Sequence, residues 1–117
     1  MKDTIRAVRI EVGQEPEIVF IEKSLEALQK EVGGLIELVS LDPKIDAFVN
    51  EEGLLQGLPF NRYLPTTYGG GRLIPVVGNV IIVSHDAEGD TKGLTEAQAK
   101  KLIAKLAEVP PAMFVGV

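Results

Sequence analysis

The stretch Leu73-Ile-Pro-Val-Val-Gly-Asn-Val-Ile-Ile-Val-Ser84 is the most apolar part of the chain and decides how the rest can be arranged. Within it, residues 80–83 form an unbroken run of β-branched side chains. A strand with one face in water alternates apolar and polar residues, whereas a strand covered on both faces does not. Residues 73–84 therefore predict a strand at the centre of a sheet.

Two hairpins and one helix are predicted ahead of this strand. Alternating apolar residues predict strands at 8–12, 17–21, 35–41 and 45–50. Between the two hairpins, the Ser24 hydroxyl can accept a hydrogen bond from a free amide at the start of a helix. Gly33 and Gly34 end this helix, because glycine tolerates the left-handed conformation that follows a last turn.

A second helix is predicted after the central strand. Thr95 and Gln98 have the spacing of a capping box, and the apolar spacing continues to about Glu108, before Pro110. The fold class is therefore α+β, with a single mixed or antiparallel sheet of about five strands and two helices packed on it. The predicted order is β-β-α-β-β-loop-β-α, with residues 1–109 as one domain and residues 110–117 as an apolar C-terminal tail.

Composition narrows the function classes. The 117 residues include no cysteine, which excludes a disulfide framework, a thiolate metal site and a cysteine nucleophile. The net charge of −5 comes without a basic patch, so direct binding of nucleic acid is not expected. We find no secretory signal and no apolar stretch long enough to span a bilayer, which predicts a cytoplasmic protein with no membrane partner.

The segment 50–65 is not explained by helix or strand formation and is the predicted functional surface. Its glycines and prolines, with Gly69 to Gly71 beyond it, predict a long irregular loop. Loops of this length in compact domains are often functional. The predicted ligand- or partner-binding residues are Asn50, Glu51, Glu52, Asn61, Arg62 and Asn79.

Each of these residues also has a structural interpretation. Asn50 can cap a turn, the two glutamates can lie at the positive end of a short helix, and Arg62 can pair with one of them. The charged residues equally suggest an alternative function, a small metal-independent hydrolase or lyase that uses Glu51 or Glu52 with Arg62. A further alternative is an acidic mimic of DNA with an anti-defence role.

Other patterns predict no catalytic, metal or cofactor site. The acidic run that begins at Asp86 lacks the glycine and the final glutamate of a calcium loop. The glycines at 69–71 precede a strand, whereas a phosphate-binding loop precedes a helix. His85 is the only histidine, and its place at a strand end beside Asp86 is typical of a turn.

A family resemblance lies in motifs that occur in a fixed order. They are Ser24-Leu-Glu-Ala-Leu-Gln-Lys-Glu-Val-Gly-Gly, Asn50-Glu-Glu-Gly, Gly57-Leu-Pro-Phe-Asn-Arg62, Gly78-Asn-Val-Ile-Ile-Val, Asp86-Ala-Glu-Gly-Asp and Leu94-Thr95. Over most of residues 5–106 the chain resembles the domain-of-unknown-function family numbered 3846. The resemblance implies a small intracellular protein of phages, plasmids or their bacterial hosts, and it brings no assigned activity or catalytic residues.

The predicted function is therefore a non-enzymatic accessory module of phage or mobile-element type. It would bind a small ligand or a host protein through the 50–65 loop. The tail at 110–117 lies outside the resemblance, and its apolar residues make it a candidate for joining two copies of the chain into a homodimer.

Overall fold

The computed structural model describes residues 3–109, which contain eight strands and two helices. The strands are β1 (Thr4–Ile10), β2 (Glu17–Glu22), β3 (Ile36–Ser40), β4 (Ile45–Asn50), β5 (Phe60–Pro65), β6 (Leu73–Val77), β7 (Val80–His85) and β8 (Thr91–Lys92). The helices are α1 (Leu25–Val32) and α2 (Glu96–Ala107). The predicted C-terminal tail and its role in dimer formation lie outside the described residues.

The central strand is β7, as the apolar run predicted. The main sheet has the order β2-β1-β7-β4-β3, and every pairing in it is antiparallel. The short strand β8 adds to the far end of β7. All residues of β7 from Val80 to Ser84 are buried, because layers of side chains cover both faces of the strand. Both predicted hairpins, β1–β2 and β3–β4, are confirmed.

The two helices lie on opposite faces of this sheet. Helix α1 packs on the face that carries Ala7, Phe48 and Ile81. Helix α2 and the small β5–β6 sheet cover the other face, where Val8 and Ile82 belong to the larger apolar cluster. The α+β class with a mostly antiparallel sheet and two helices is confirmed. The domain has three layers, which are α1, the main sheet, and α2 together with the β5–β6 hairpin.

The helix boundaries follow the predicted signals. Ser24 Oγ accepts a hydrogen bond from the amide of Ala27 at 3.1 Å, and α1 ends at Gly33, which has φ of 77°. At the second helix, Thr95 and Gln98 form the complete capping box.

The predicted long loop is wrong in its second half. Residues 60–65 form β5, which pairs with β6 around a 3-10 turn at Tyr68–Gly70. The prolines do not prevent this hairpin. Pro65 lies at the last position of β5 and Pro75 at the middle of β6, and both strands have a neighbour on one side only, where proline is tolerated. Its register shifts between Phe60 and Arg62.

The single strand predicted at 73–84 is divided into β6 and β7. The break falls at Gly78 and Asn79. Gly78 has φ of 73°, a left-handed conformation that is strained for residues other than glycine. The two strands therefore belong to different sheets. The division raises the strand count above the predicted five and brings β6 over the α2 face.

Candidate functional site

The irregular part of the predicted site is the segment from Glu51 to Pro59, which we call the 51–59 loop. The loop is closed by its own backbone hydrogen bonds. The Gln56 amide donates to the Glu52 carbonyl at 2.9 Å, and the Leu58 amide donates to the Gly53 carbonyl at 2.9 Å. These bonds give the loop a fixed shape of consecutive turns.

Asn50 anchors this loop to α1. Its side chain is buried, and Nδ2 donates to the carbonyl of Val32 at 3.2 Å while Oδ1 accepts from the amide of Glu52 at 2.8 Å. The Val32 carbonyl is one of the four that a helix leaves without an internal partner at its end. A Cβ at Gly34 would lie 2.9 Å from Nδ2 of Asn50, so a side chain at position 34 would displace this amide from its place.

Asn61 joins the β5–β6 hairpin to the end of β1, and Asn79 joins the turn after β6 to the segment that follows β1. Asn61 Nδ2 donates to the carbonyls of Ile10 at 2.9 Å and Gly78 at 2.8 Å. Asn79 Oδ1 accepts from the amide of Val12 at 3.0 Å. Asn61 Oδ1 is buried and has no hydrogen-bond partner within residues 3–109.

Two of the three asparagines line one groove. It has a volume of about 340 Å³ and separates the 51–59 loop from the C-terminal end of α1. Asn50 and Asn79 contribute polar atoms, and Leu58 and Pro59 contribute an apolar wall. Asn61 lies beside the groove through its bond to Gly78. The hydrogen bonds of these amides nonetheless go to the protein's own backbone.

The charged members of the predicted site do not converge on this groove. Glu51 and Glu52 are exposed. Arg62 Nη2 donates to the carbonyl of Gln14 at 3.4 Å, at the turn of the first hairpin, and its buried Nε has no partner in the described part of the chain. The alternative of a hydrolase or lyase needs Glu51 or Glu52 in a closed pocket with Arg62, and the geometry gives that alternative no support.

The acidic residues also do not form one row on the surface. Exposed acids occur at the tip of the first hairpin, on α1, on β3, on the 51–59 loop, in the turn after β7 and on α2. A mimic of DNA needs acids along one face at the spacing of phosphates. The distribution of acidic residues therefore gives a DNA mimic no support.

Sequence reasoning missed the most exposed large apolar side chains among residues 3–109. Leu54 is 84% exposed and Leu55 is 87% exposed, at the tip of the 51–59 loop. The signal available was a pair of leucines between Gly53 and Gly57 that belongs to no helical or strand periodicity. Such a pair has no partner in the core and must lie on the surface.

A second feature missed from the sequence is the contact between His85 and Asp46. His85 Nδ1 lies 2.7 Å from Oδ2 of Asp46, whose carboxylate is buried in the sheet. His85 thus belongs to a cross-strand pair between β7 and β4, in addition to preceding the turn.

The turn after His85 is held by the Asp86 carboxylate, which accepts hydrogen bonds from the amides of Asp90 at 3.0 Å and Glu88 at 2.9 Å. These bonds hold the pKa of Asp86 below its ordinary value, and the bond from the Asp90 amide has the largest effect. The acidic run is therefore a hydrogen-bonded turn. Within residues 3–109, no three acidic or histidine side chains are grouped closely enough to hold a metal ion.

The fold and this surface define the class of protein, which is a small antiparallel α+β domain with a surface loop held by hydrogen bonds. Residues 5–107 match the family described as Domain of unknown function (DUF3846). Because the match covers most of the chain, the protein belongs to that family. Comparisons with curated proteins and with solved structures find no match. Neither helix in the described part of the chain is long and apolar enough to cross a membrane.

Proposed function

We propose that the protein is a non-enzymatic accessory module that captures a partner protein through the 51–59 loop. In this proposal, the side chains of Leu54 and Leu55 enter an apolar pocket on the partner. The observation that carries the proposal is the exposure of these two adjacent leucines, 84% and 87%, on a loop of fixed shape. Water contact with large apolar side chains is unfavourable, and burying them at an interface removes that contact.

The shape of the loop supports a role in binding. Its backbone bonds and the Asn50 anchor hold the leucines in one arrangement before a partner arrives. A surface that is already ordered loses little conformational entropy on association, which favours affinity. In this interpretation, the asparagines predicted as contact residues act by positioning the loop, and the leucines make the contact.

Charge indicates the kind of pocket that would receive the loop. Between Asn50 and Asn61 the only charged side chains are Glu51 and Glu52, both exposed. A partner pocket with an apolar floor and a basic rim would complement this tip, and the charges would increase the rate of association. A protein partner is favoured over a small ligand, because the groove amides are bonded to the chain itself.

The family resemblance supports a proposal for the biological setting of the partner. It implies a protein of phages, plasmids and their hosts, so the proposed partner is a host protein met in the cytoplasm. Such a module would act by occupying a surface of that host protein.

The test compares the double variant Leu54→Ser/Leu55→Ser with Phe20→Ser. Phe20 is also an exposed apolar residue, but it lies on β2 at the edge of the main sheet. Each tagged variant is used to capture proteins from a host lysate, and the captured protein is then purified and titrated by calorimetry. We expect the double variant to weaken the complex at least tenfold, the effect typical of losing an anchor residue, and Phe20→Ser to leave it unchanged.

Two further measurements complete the test. Unfolding in urea should show that the double variant is as stable as the wild type to within about 0.5 kcal/mol, because the leucines touch little of the core. Glu51→Lys/Glu52→Lys should slow association. Equal affinity of the wild type and the leucine variant for the purified partner would overturn the proposal.

A further inference from the structure

The outer edge of β3 is a candidate site of pairing with another chain, and this role is independent of the proposed function. Strand β3 ends the main sheet on one side, and no other strand of residues 3–109 pairs with its outer edge. Unpaired edges carry free amides and carbonyls that can pair with a strand of another chain. Proteins usually protect such edges with charges, prolines or bulges.

Strand β3 has little protection of this kind. Its pairing with β4 is regular over all five residues, without a register shift, and it contains no proline. Glu37 is its only charged residue. Leu38, at the middle of the strand, is 53% exposed although it is next to buried Phe48 on β4. The short helix α1 therefore leaves an apolar side chain uncovered at this edge.

The direction of the backbone groups can be read from bonds at both ends of the β3–β4 hairpin. The Leu35 carbonyl accepts from the Glu51 amide at 2.8 Å, and the Leu41 amide donates to the Ile45 carbonyl at 2.9 Å. In an antiparallel pair, successive residues direct their backbone groups to alternate sides. The groups of residues 35, 37, 39 and 41 therefore point to β4, and those of residues 36, 38 and 40 point outward.

We propose that two copies of this chain form a symmetric dimer in which their β3 edges pair antiparallel, with the two-fold axis at Leu38. Leu38 then exchanges backbone hydrogen bonds with Leu38 of the second copy. Ile36 pairs with Ser40 of the second copy and Ser40 with its Ile36. The two main sheets become one continuous sheet, and the interface is isologous, as in most homodimers.

Other centres of symmetry are less favourable. A two-fold axis at Glu37 would place two carboxylates directly opposite each other, which is destabilising in a sheet. An axis at Val39 or at Glu37 would also leave one of the outward residues at an end of the strand without a partner. The axis at Leu38 places Glu37 opposite Val39 of the second copy and uses every outward residue.

The side chains at the centre also fit this arrangement. The two-fold axis is perpendicular to the sheet, so both copies of α1 lie on the same face. The two Leu38 side chains meet in the valley between these helices. In each copy, Phe48 lies beside Leu38 and lines an apolar cavity of about 300 Å³ with Leu25 and Leu28. At one end of the edge, Ser40 Oγ contacts the Tyr68 hydroxyl at 3.1 Å, a side-chain contact that does not use the backbone of β3.

Because the chain has no cysteine, single cysteines can report on the pairing. In the full chain, Leu38→Cys places two thiols on the axis, with Cα atoms about 5.5 Å apart, within the range that a disulfide spans. We expect rapid formation of a covalent dimer under mild oxidation. Phe20→Cys, on the opposite edge of the sheet, is the matched control and should remain monomeric on gels.

The register is tested with two further variants. Glu37→Cys alone and Val39→Cys alone should not cross-link, whereas a mixture of the two should, because these residues face each other across the axis. Light scattering after size exclusion should give the mass of a dimer for the wild type and of a monomer for Leu38→Lys. A wild-type monomer, or Leu38→Cys that cross-links no faster than Phe20→Cys, would overturn the proposal. Cross-linking of Glu37→Cys alone would overturn the proposed axis.

Discussion

Strand β7 and the 51–59 loop illustrate two different ways in which a sequence determines a shape. In β7 every residue from Val80 to Ser84 is buried, and the strand is fixed by apolar contacts on both faces. In the loop most apolar side chains are exposed to solvent, and hydrogen bonds to the backbone fix its shape. Burial thus positions the centre of the sheet, whereas the buried side-chain amide of Asn50 and backbone hydrogen bonds position the exposed leucines of the loop.

The largest expected effect on stability comes from truncating a buried side chain of β7. Ile82→Ala removes most of a fully buried side chain from the larger apolar cluster. We expect the free energy of unfolding to fall by about 2–5 kcal/mol, as is typical for such truncations in a core. Urea denaturation followed by circular dichroism measures this change.

Ile18→Ala is the matched control, since Ile18 is the same residue type on the edge strand β2 and is 37% exposed. Its loss should be clearly smaller than that of Ile82→Ala. If the two substitutions cost the same, burial does not distinguish the centre of the sheet from its edge.

The next largest effect on stability comes from removing the side-chain amide of Asn61, which holds the β5–β6 hairpin against β1. Asn61→Ala removes the donor to the carbonyls of Ile10 and Gly78. Carbonyls left without partners away from water cost about 1–3 kcal/mol, so we expect a loss of stability in that range.

Gln56→Ala is a suitable control for Asn61→Ala, because Gln56 is an exposed residue of the same region and makes only a backbone bond. It should change the free energy of unfolding by no more than about 0.5 kcal/mol. Equal melting curves for Asn61→Ala and the wild type would show that hydrogen bonds do not fix this region.

The smallest effect concerns Asp86, whose lowered pKa reports a hydrogen-bonded turn on the surface. A folded-state pKa below the unfolded value means that the carboxylate stabilises the fold above about pH 4. This contribution is lost as the pH falls through the folded-state pKa. Carbon-detected NMR titration of the Asp86 carboxyl group should give a pKa below that of a model peptide.

Asp86→Ala should accordingly make the stability less dependent on pH in the acid range, without changing the sheet. An Asp86 carboxyl group that titrates at or above its ordinary pKa would contradict the bonds from Asp90 and Glu88. The turn would then be held by its backbone bonds alone.

The features predicted from sequence are those with local signals. The apolar run at 80–83 predicts the central strand because burial on both faces removes alternation. The cap residues Ser24 and Thr95 predict the helix starts because capping acts within three residues. The two hairpins follow from alternating residues on either side of a turn.

The remaining features depend on residues far apart in the chain. Asn61 and Ile10 are 51 residues apart, and His85 and Asp46 are 39 apart, so no local pattern connects them. The β5–β6 hairpin was missed because its prolines and glycines resemble those of a loop, although a strand with a neighbour on one side only tolerates proline. The exposed leucines were missed because apolar residues are usually assigned to the core.

The position of β7 between β1 and β4 has a consequence for synthesis of the protein. The ribosome completes both hairpins before it reaches Val80, and these hairpins have no common strand until β7 is inserted between them. Nascent chains that stop short of β7 therefore present apolar surfaces and sheet edges that the finished protein covers. Such chains should depend on chaperones, and the sheet should close only after β7 has left the ribosome.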